Sequence, residues 1–143
     1  MTPCVLLLHD EPDGGWHFDW MLARWPEVED ERGPGPLITF RTHVRPDEDV
    51  HGFDAERVAD HRAAYLMREG EVSGGRGQVR RVARGWCILD EEGPERMVVT
   101  VELGGHPRRL IGHREESGDR KASPLGRWRF ESASTAWTQG ADK

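Results

Sequence analysis

The stretch HDEPDGGWHFDWML, residues 9–22, sets two histidines, four acids and two tryptophans around a Gly-Gly turn. Its reading decides the fold. PCVLLLH, residues 3–9, is a short, nearly continuous apolar run of the kind that forms a strand buried on both faces. EPDGG is a cluster of turn formers. WHFDWML then alternates, with Trp16, Phe18, Trp20 and Leu22 on one face and His17, Asp19 and Met21 on the other, which is the period of a half-buried strand. Two strands joined by a tight turn form a hairpin, and the hairpin places the end of the first strand beside the start of the second.

The rest of the chain repeats this texture. LITFRTHV resumes a strand after the acidic, Pro/Gly-rich loop WPEVEDERGPGP, and QVRRVARG, WCILDEE, ERMVVTVEL, PRRLIGHRE and GRWRFES are further short strand candidates separated by turn formers. DAERVADHRAAYLMREG, residues 54–70, has a plausible N-cap, strong helix formers and a terminal Gly, so propensity predicts a helix of three to four turns with His61 and Tyr65 on one face. SGGRG, ESGDRKASP and the tail after Ser132 read as loops. The expected architecture is mainly β: a compact antiparallel β-barrel with a short helical insertion, one domain over residues 1–132 and a mobile tail over 133–143.

Composition agrees with that class and narrows the function. The 143 residues suit a single core, and 17 Gly and 9 Pro suit many short strands better than a helical bundle. No apolar run approaches the roughly 20 residues of a membrane helix, and PCVLLLH lacks the flanks of a secretory signal, so the expectation is a soluble, cytoplasmic protein. Cys4 and Cys87 are too few and too distant for a thiolate metal site and read as small buried hydrophobes. The net charge is −6, but residues 1–75 hold 16 of the 26 acids while residues 76–143 hold 13 of the 20 bases, and 18 of those 20 bases are Arg. Basic surface for phosphate therefore remains available in the second half.

The chemistry concentrates in the hairpin. An H-x-D pair on a strand projects His17 and Asp19 from one face, about 6–7 Å apart at the backbone. The hairpin brings His9 to the same place. Two imidazoles and a carboxylate form a mixed N/O set that suits Mn²⁺, Fe²⁺ or Zn²⁺ and leaves positions open for water and substrate. H-x-D pairs also arise by chance, and an exposed strand face tolerates both residues without any ligand. His61 is a candidate to hold a phosphate oxygen or pass a proton, against the plain alternative of a surface His. Arg76 in SGGRG could meet an anion together with backbone N–H groups, although the loop matches no Walker pattern. Arg80, Arg81 and Arg84 serve equally as a solvated face or a phosphate track.

LLLHD, WHFDWML, ADHRAAYL and EGEVSGGRGQVRRVARG, in that order, resemble the 3′-phosphoesterase domain of bacterial DNA ligase D, the nonhomologous end-joining enzyme, and its stand-alone relatives. The resemblance runs from about residue 5 to about residue 131. It implies a β-barrel that binds Mn²⁺, with Zn²⁺ or Co²⁺ as alternatives, and acts on DNA 3′ ends or a primer–template, removing a terminal ribonucleoside and then the 3′-phosphate. It also implies a separately encoded ligase or end-joining factor as a partner. By position, His9, His17 and Asp19 match the family's metal ligands, His61 and Tyr65 its phosphate-binding and catalytic cluster, and Arg41 a basic phosphate contact. It further implies that the DHxxxY segment is extended, against the helix that propensity predicts.

The departures are specific. The family has an Arg two residues beyond the metal-binding Asp, where this chain has Met21, and an acid two before its His, where this chain has Ala59; the turn between His9 and His17 is also longer. Losing a bidentate Arg–phosphate contact removes transition-state stabilisation. The alternative function is therefore a non-catalytic module of the same fold that binds DNA ends or phosphate. A third is a barrel enzyme acting on a small phosphoester.

Overall fold

A computed structural model describes residues 1–26, 35–48, 51–72, 74–116 and 124–133. Among these, nine strands form one antiparallel sheet: β1 (Thr2–Asp10), β2 (Trp16–Ala23), β3 (Leu37–Thr42), β4 (Gly52–His61), β5 (Gly70–Glu71), β6 (Gln78–Glu92), β7 (Arg96–Glu102), β8 (Arg108–Arg114) and β9 (Arg127–Ser132). The order is β1-β2-β3-β4-β9-β8-β7-β6-β5, and β1 also pairs with β6. That last pairing closes β1–β4 and β6–β9 into a ring, with β5 a two-residue addition to β6. The mainly β expectation holds, and the helical part is a single 3₁₀ turn, Ala63–Leu66.

The ring encloses an aromatic core. Trp20, Phe40, Phe53, Trp128 and Phe130 sit with Leu6, Ile38, Val99, Val101 and Leu110 in one buried cluster. Phe40 and Phe130 meet edge to face at 5.0 Å between centroids, while Phe53 and Phe130 stack at 5.4 Å. Each such pair adds about 1 kcal/mol beyond area burial. Cys4 and Cys87 are buried and free, as expected.

Period-2 alternation sends the other half of these strands outward, and there a second cluster forms from Val5, Leu7, Met21, Ala23, Leu37, Val72 and Val79, with Tyr65 and Leu66 packed on it. The outer face of β1, β2 and β3 is thus covered by the segment that leaves β4. Arg81 fastens that cover by donating from Nη1 to the Leu66 carbonyl at 3.1 Å, and the Val72 N–H donates to the Gly77 carbonyl at 2.8 Å.

The helix expected over residues 54–70 is corrected. Residues 52–61 are strand β4, in register with β3 (Arg41↔Glu56) and with β9 (Phe53↔Phe130, Ala55↔Trp128). Phe53, Ala55 and Arg57 alternate into buried positions, and burial of that face against two neighbouring strands outweighs the helix propensity of Ala, Glu and Arg. QVRRVARG and WCILDEE are likewise one continuous strand, β6, rather than two. Gly85, read as a turn former, instead lies where a Cβ would strike the Glu102 carbonyl of β7, so it permits close strand approach. Residues 117–123 of the expected loop, 134–143 of the expected tail and 27–34 of the acidic loop lie outside the described residues. Among the described residues no helix is long and apolar enough to cross a membrane.

Candidate metal centre

The hairpin closes as its sequence requires. The Glu11 N–H donates to the Gly15 carbonyl at 2.8 Å, the Gly14 N–H to the Glu11 carbonyl at 3.1 Å, and the Asp13 carboxylate accepts from the Gly15 N–H at 2.8 Å. Gly14 takes φ +91°, a conformation that favours glycine. The register that follows sets His9 directly opposite His17, with Asp19 opposite Leu7. All three project to the outer face, beside the second cluster.

One ligand atom from each of His9, His17 and Asp19 lies within 4.8 Å of the others. His17 and Asp19 are buried at 4% and 5% exposure, which removes the reading of an H-x-D pair on a solvated strand. The hydrogen bonds around the site fix which nitrogens face inward. His9 Nε2 donates to the Arg76 carbonyl at 2.6 Å, so its Nδ1 lone pair points toward Asp19 Oδ2, 3.5 Å away. His17 Nδ1 donates to Glu11 Oε1 at 2.8 Å, so its Nε2 lone pair points toward Asp19 Oδ1, 3.2 Å away. Histidines oriented by a carbonyl or a carboxylate on the far nitrogen are the usual arrangement around a bound metal.

The result is a buried concentration of acceptors. His17 Nε2 and Asp19 Oδ1 make no hydrogen bond, despite their proximity. Such a group costs free energy unless a proton or a cation satisfies it. Burial pushes the His17 imidazole toward neutrality, but the carboxylates of Asp19 and Glu11 outweigh it and raise its pKa above the ordinary value. The residues therefore fit a divalent cation: three convergent lone-pair donors of N/N/O type, two of them already oriented from behind.

Of the other residues singled out by sequence, Arg41 joins the centre. It stands opposite Asp19 in the β2–β3 register and reaches it with Nε at 3.8 Å, while 46% of its side chain remains exposed. His61 and Tyr65 meet edge to face at 4.8 Å between centroids where the chain turns out of β4, not on a helix face. His61 Nδ1 donates to the Ala59 carbonyl at 2.9 Å. Burial lowers its pKa below the ordinary value; the Asp19 charge partly opposes this and the Arg41 charge adds to it, so His61 lies within electrostatic reach of the centre. Arg76 enters through its backbone carbonyl, the acceptor for His9. Met21 is fully buried in the outer cluster, and Ala59 contributes the carbonyl that orients His61.

Glu11 was missed by the sequence reading. Its signal was present: it is an acid in the turn itself, six residues before the histidine that it orients. No protein-family model matches the chain, and no curated protein matches it.

Proposed function

We propose that the protein is a metal-dependent phosphoesterase, with Mn²⁺ as the favoured ion, that acts on the 3′ ends of DNA or RNA-tipped DNA. The observation that supports it most is the buried convergence of His9 Nδ1, His17 Nε2 and Asp19 within 4.8 Å of one another, bordered by the partly exposed Arg41 and by His61. The nucleic-acid substrate rests on the ordered resemblance of the HD, H-x-D, DHxxxY and Gly-rich segments to the 3′-phosphoesterase domain of DNA ligase D.

His9, His17 and Asp19 would hold the ion, which when bound polarises a phosphoryl oxygen and lowers the pKa of a coordinated water. Arg41 offers its guanidinium beside that position, where it offsets the charge that builds on phosphoryl oxygens. His61 carries its proton on Nδ1 and is held neutral by burial. Its free Nε2 suits it to accept a proton from the attacking water rather than to deliver one. In the net reaction, water adds to phosphorus and the ester P–O bond breaks. The alcohol leaves with the second proton: the 5′-hydroxyl of a terminal nucleoside in the first cut, the 3′-hydroxyl of the primer in the second.

Purified protein stripped of metal, given a primer–template ending in one ribonucleotide or in a 3′-phosphate, is expected to trim the end only when Mn²⁺ is added, and His17→Ala is expected to remove both binding and turnover. A His17→Ala protein with full activity refutes the proposal. Stoichiometric Mn²⁺ binding without turnover favours the non-catalytic end-binding module, which the replacement of the family's Arg by Met21 already motivates.

A further inference from the structure

A groove of about 620 Å³ opens directly beside the metal centre, lined by Glu11, Trp16, His17, Arg41, His43 and, on its far wall, Asp54, Glu56 and Arg127. That volume falls in the range of small-molecule sites. His17 belongs to both the groove and the centre, so whatever fills the groove is continuous with the reacting phosphate.

The lining indicates what that is. Trp16 is 43% exposed. Its ring makes T-shaped contacts with Phe18 at 5.4 Å and His43 at 5.3 Å between centroids, and His43 Nε2 donates to the Trp16 carbonyl at 3.1 Å. Neither neighbour lies parallel to the indole. Exposing a large rigid aromatic beside a polar centre has a cost that stacking with a planar ligand would recover. Asp54 and Glu56 set two carboxylates on the far wall and Glu11 adds a third to the lining, beside the guanidinium groups of Arg41 and Arg127; Asp54 Oδ1 also accepts from Arg129 Nη1 at 3.3 Å. A phosphate backbone running along this wall would meet like charge, whereas a base and sugar would meet acceptors for their hydroxyl and amino protons.

We infer that this groove is a nucleoside subsite, holding the sugar and base of the terminal nucleotide with the base stacked on Trp16 and its hydroxyl and amino groups facing Asp54 and Glu56, while Arg41 marks the phosphate end. The inference rests on the phosphoesterase reading for its place in the reaction but not for the binding itself. With the attacking water held in one place, in-line displacement sets the leaving alcohol in this groove in either cut: the terminal nucleoside in the first, the primer's own 3′-nucleoside in the second.

The test uses the full chain as wild type, Trp16→Ala and Trp16→Phe. Free adenosine is titrated with ligand-observed NMR, and end trimming in Mn²⁺ is compared on primers ending in one ribonucleotide or in a 3′-phosphate. Wild type and Trp16→Phe are expected to bind adenosine and Trp16→Ala to lose it, with trimming of both ends falling roughly tenfold in Trp16→Ala, the scale of one base–aromatic stack. No adenosine binding by wild type, or unchanged trimming of both ends in Trp16→Ala, overturns the inference. If wild type trims neither end, the phosphoesterase reading fails separately, and the adenosine titration still decides the groove.

Discussion

Asp19→Asn separates the metal hypothesis from ordinary stability because its two effects have opposite signs. In the metal-free protein the Asp19 carboxylate faces two imidazole lone pairs from a site with 7% side-chain exposure. An amide of the same shape can donate to His17 Nε2 from the position now 3.2 Å away, gaining a hydrogen bond of about 1 kcal/mol and removing a buried charge. The Arg41 contact it gives up is solvated and contributes about 0–1 kcal/mol. Metal-free Asp19→Asn is therefore expected to melt at or slightly above wild type near pH 8. Mn²⁺ at about a hundred times its dissociation constant stabilises wild type by about 2.7 kcal/mol, and for a chain of this length that raises Tm by about 10 °C. The variant is expected to show no such rise. Differential scanning fluorimetry with and without Mn²⁺ after chelation measures both quantities. A variant that keeps the Mn²⁺-dependent rise, or one that loses several kcal/mol without metal, refutes the argument that these acceptors converge on a cation.

Three further outcomes follow from the same geometry. Arg41→Ala is expected to leave Mn²⁺ affinity nearly unchanged while lowering kcat on a DNA 3′ end by about 10²–10³; an unchanged kcat refutes its role. His61 has its pKa pushed below the ordinary 6.5 by burial, so between its folded pKa and 6.5 the unfolded chain binds more protons and stability rises with pH. The contribution is fully present above 6.5 and is lost as pH falls toward the folded pKa, and an NMR titration that places the His61 ring above 6.5 contradicts it. Gly77→Ala, at φ +98° with its Cβ directed into the Asp10 carbonyl oxygen, is expected to cost about 3 kcal/mol or more in urea melts and to weaken Mn²⁺ binding by moving the adjacent Arg76 carbonyl. Gly75→Ala, with a positive φ but open space, is expected to cost about 1 kcal/mol.

The hairpin and its three candidate ligands were legible because everything that places them is local. A turn rich in Gly, Pro and Asp fixes the register, and a period of 2 assigns His17, Asp19 and Met21 to one face. Ring closure was not legible, because the β1–β6 pairing joins residues as far apart as Thr2 and Cys87 and no local pattern specifies a partner strand. The same non-local pairing explains the misread segment. Residues 54–61 are good helix formers in isolation, and only the presence of β3 on one side and β9 on the other makes an extended chain the better solution. Glu11 and the Arg76 carbonyl are not legible for a different reason: they orient the candidate ligand histidines rather than resemble them.

Met21 shows how the surroundings of a site constrain its chemistry. An Arg two residues beyond Asp19 would occupy the same outer face, but here that face is already closed by Tyr65, Leu66 and Val72 packing onto Val5, Leu7 and Leu37. A guanidinium introduced there would enter an apolar cluster, and burying it would cost several kcal/mol unless the cover lifted. Arg41 approaches Asp19 from the neighbouring strand instead, at the open side, with its side chain still partly in water. Cross-strand placement thus sets a cation beside Asp19 without breaching the outer core, and it does so from the wall shared with the groove. Met21 and the exposure of Arg41 are thus linked consequences of one packing choice: the covering segment seals the β1–β2 face near Met21 and leaves the Arg41 side of the β2–β3 face open.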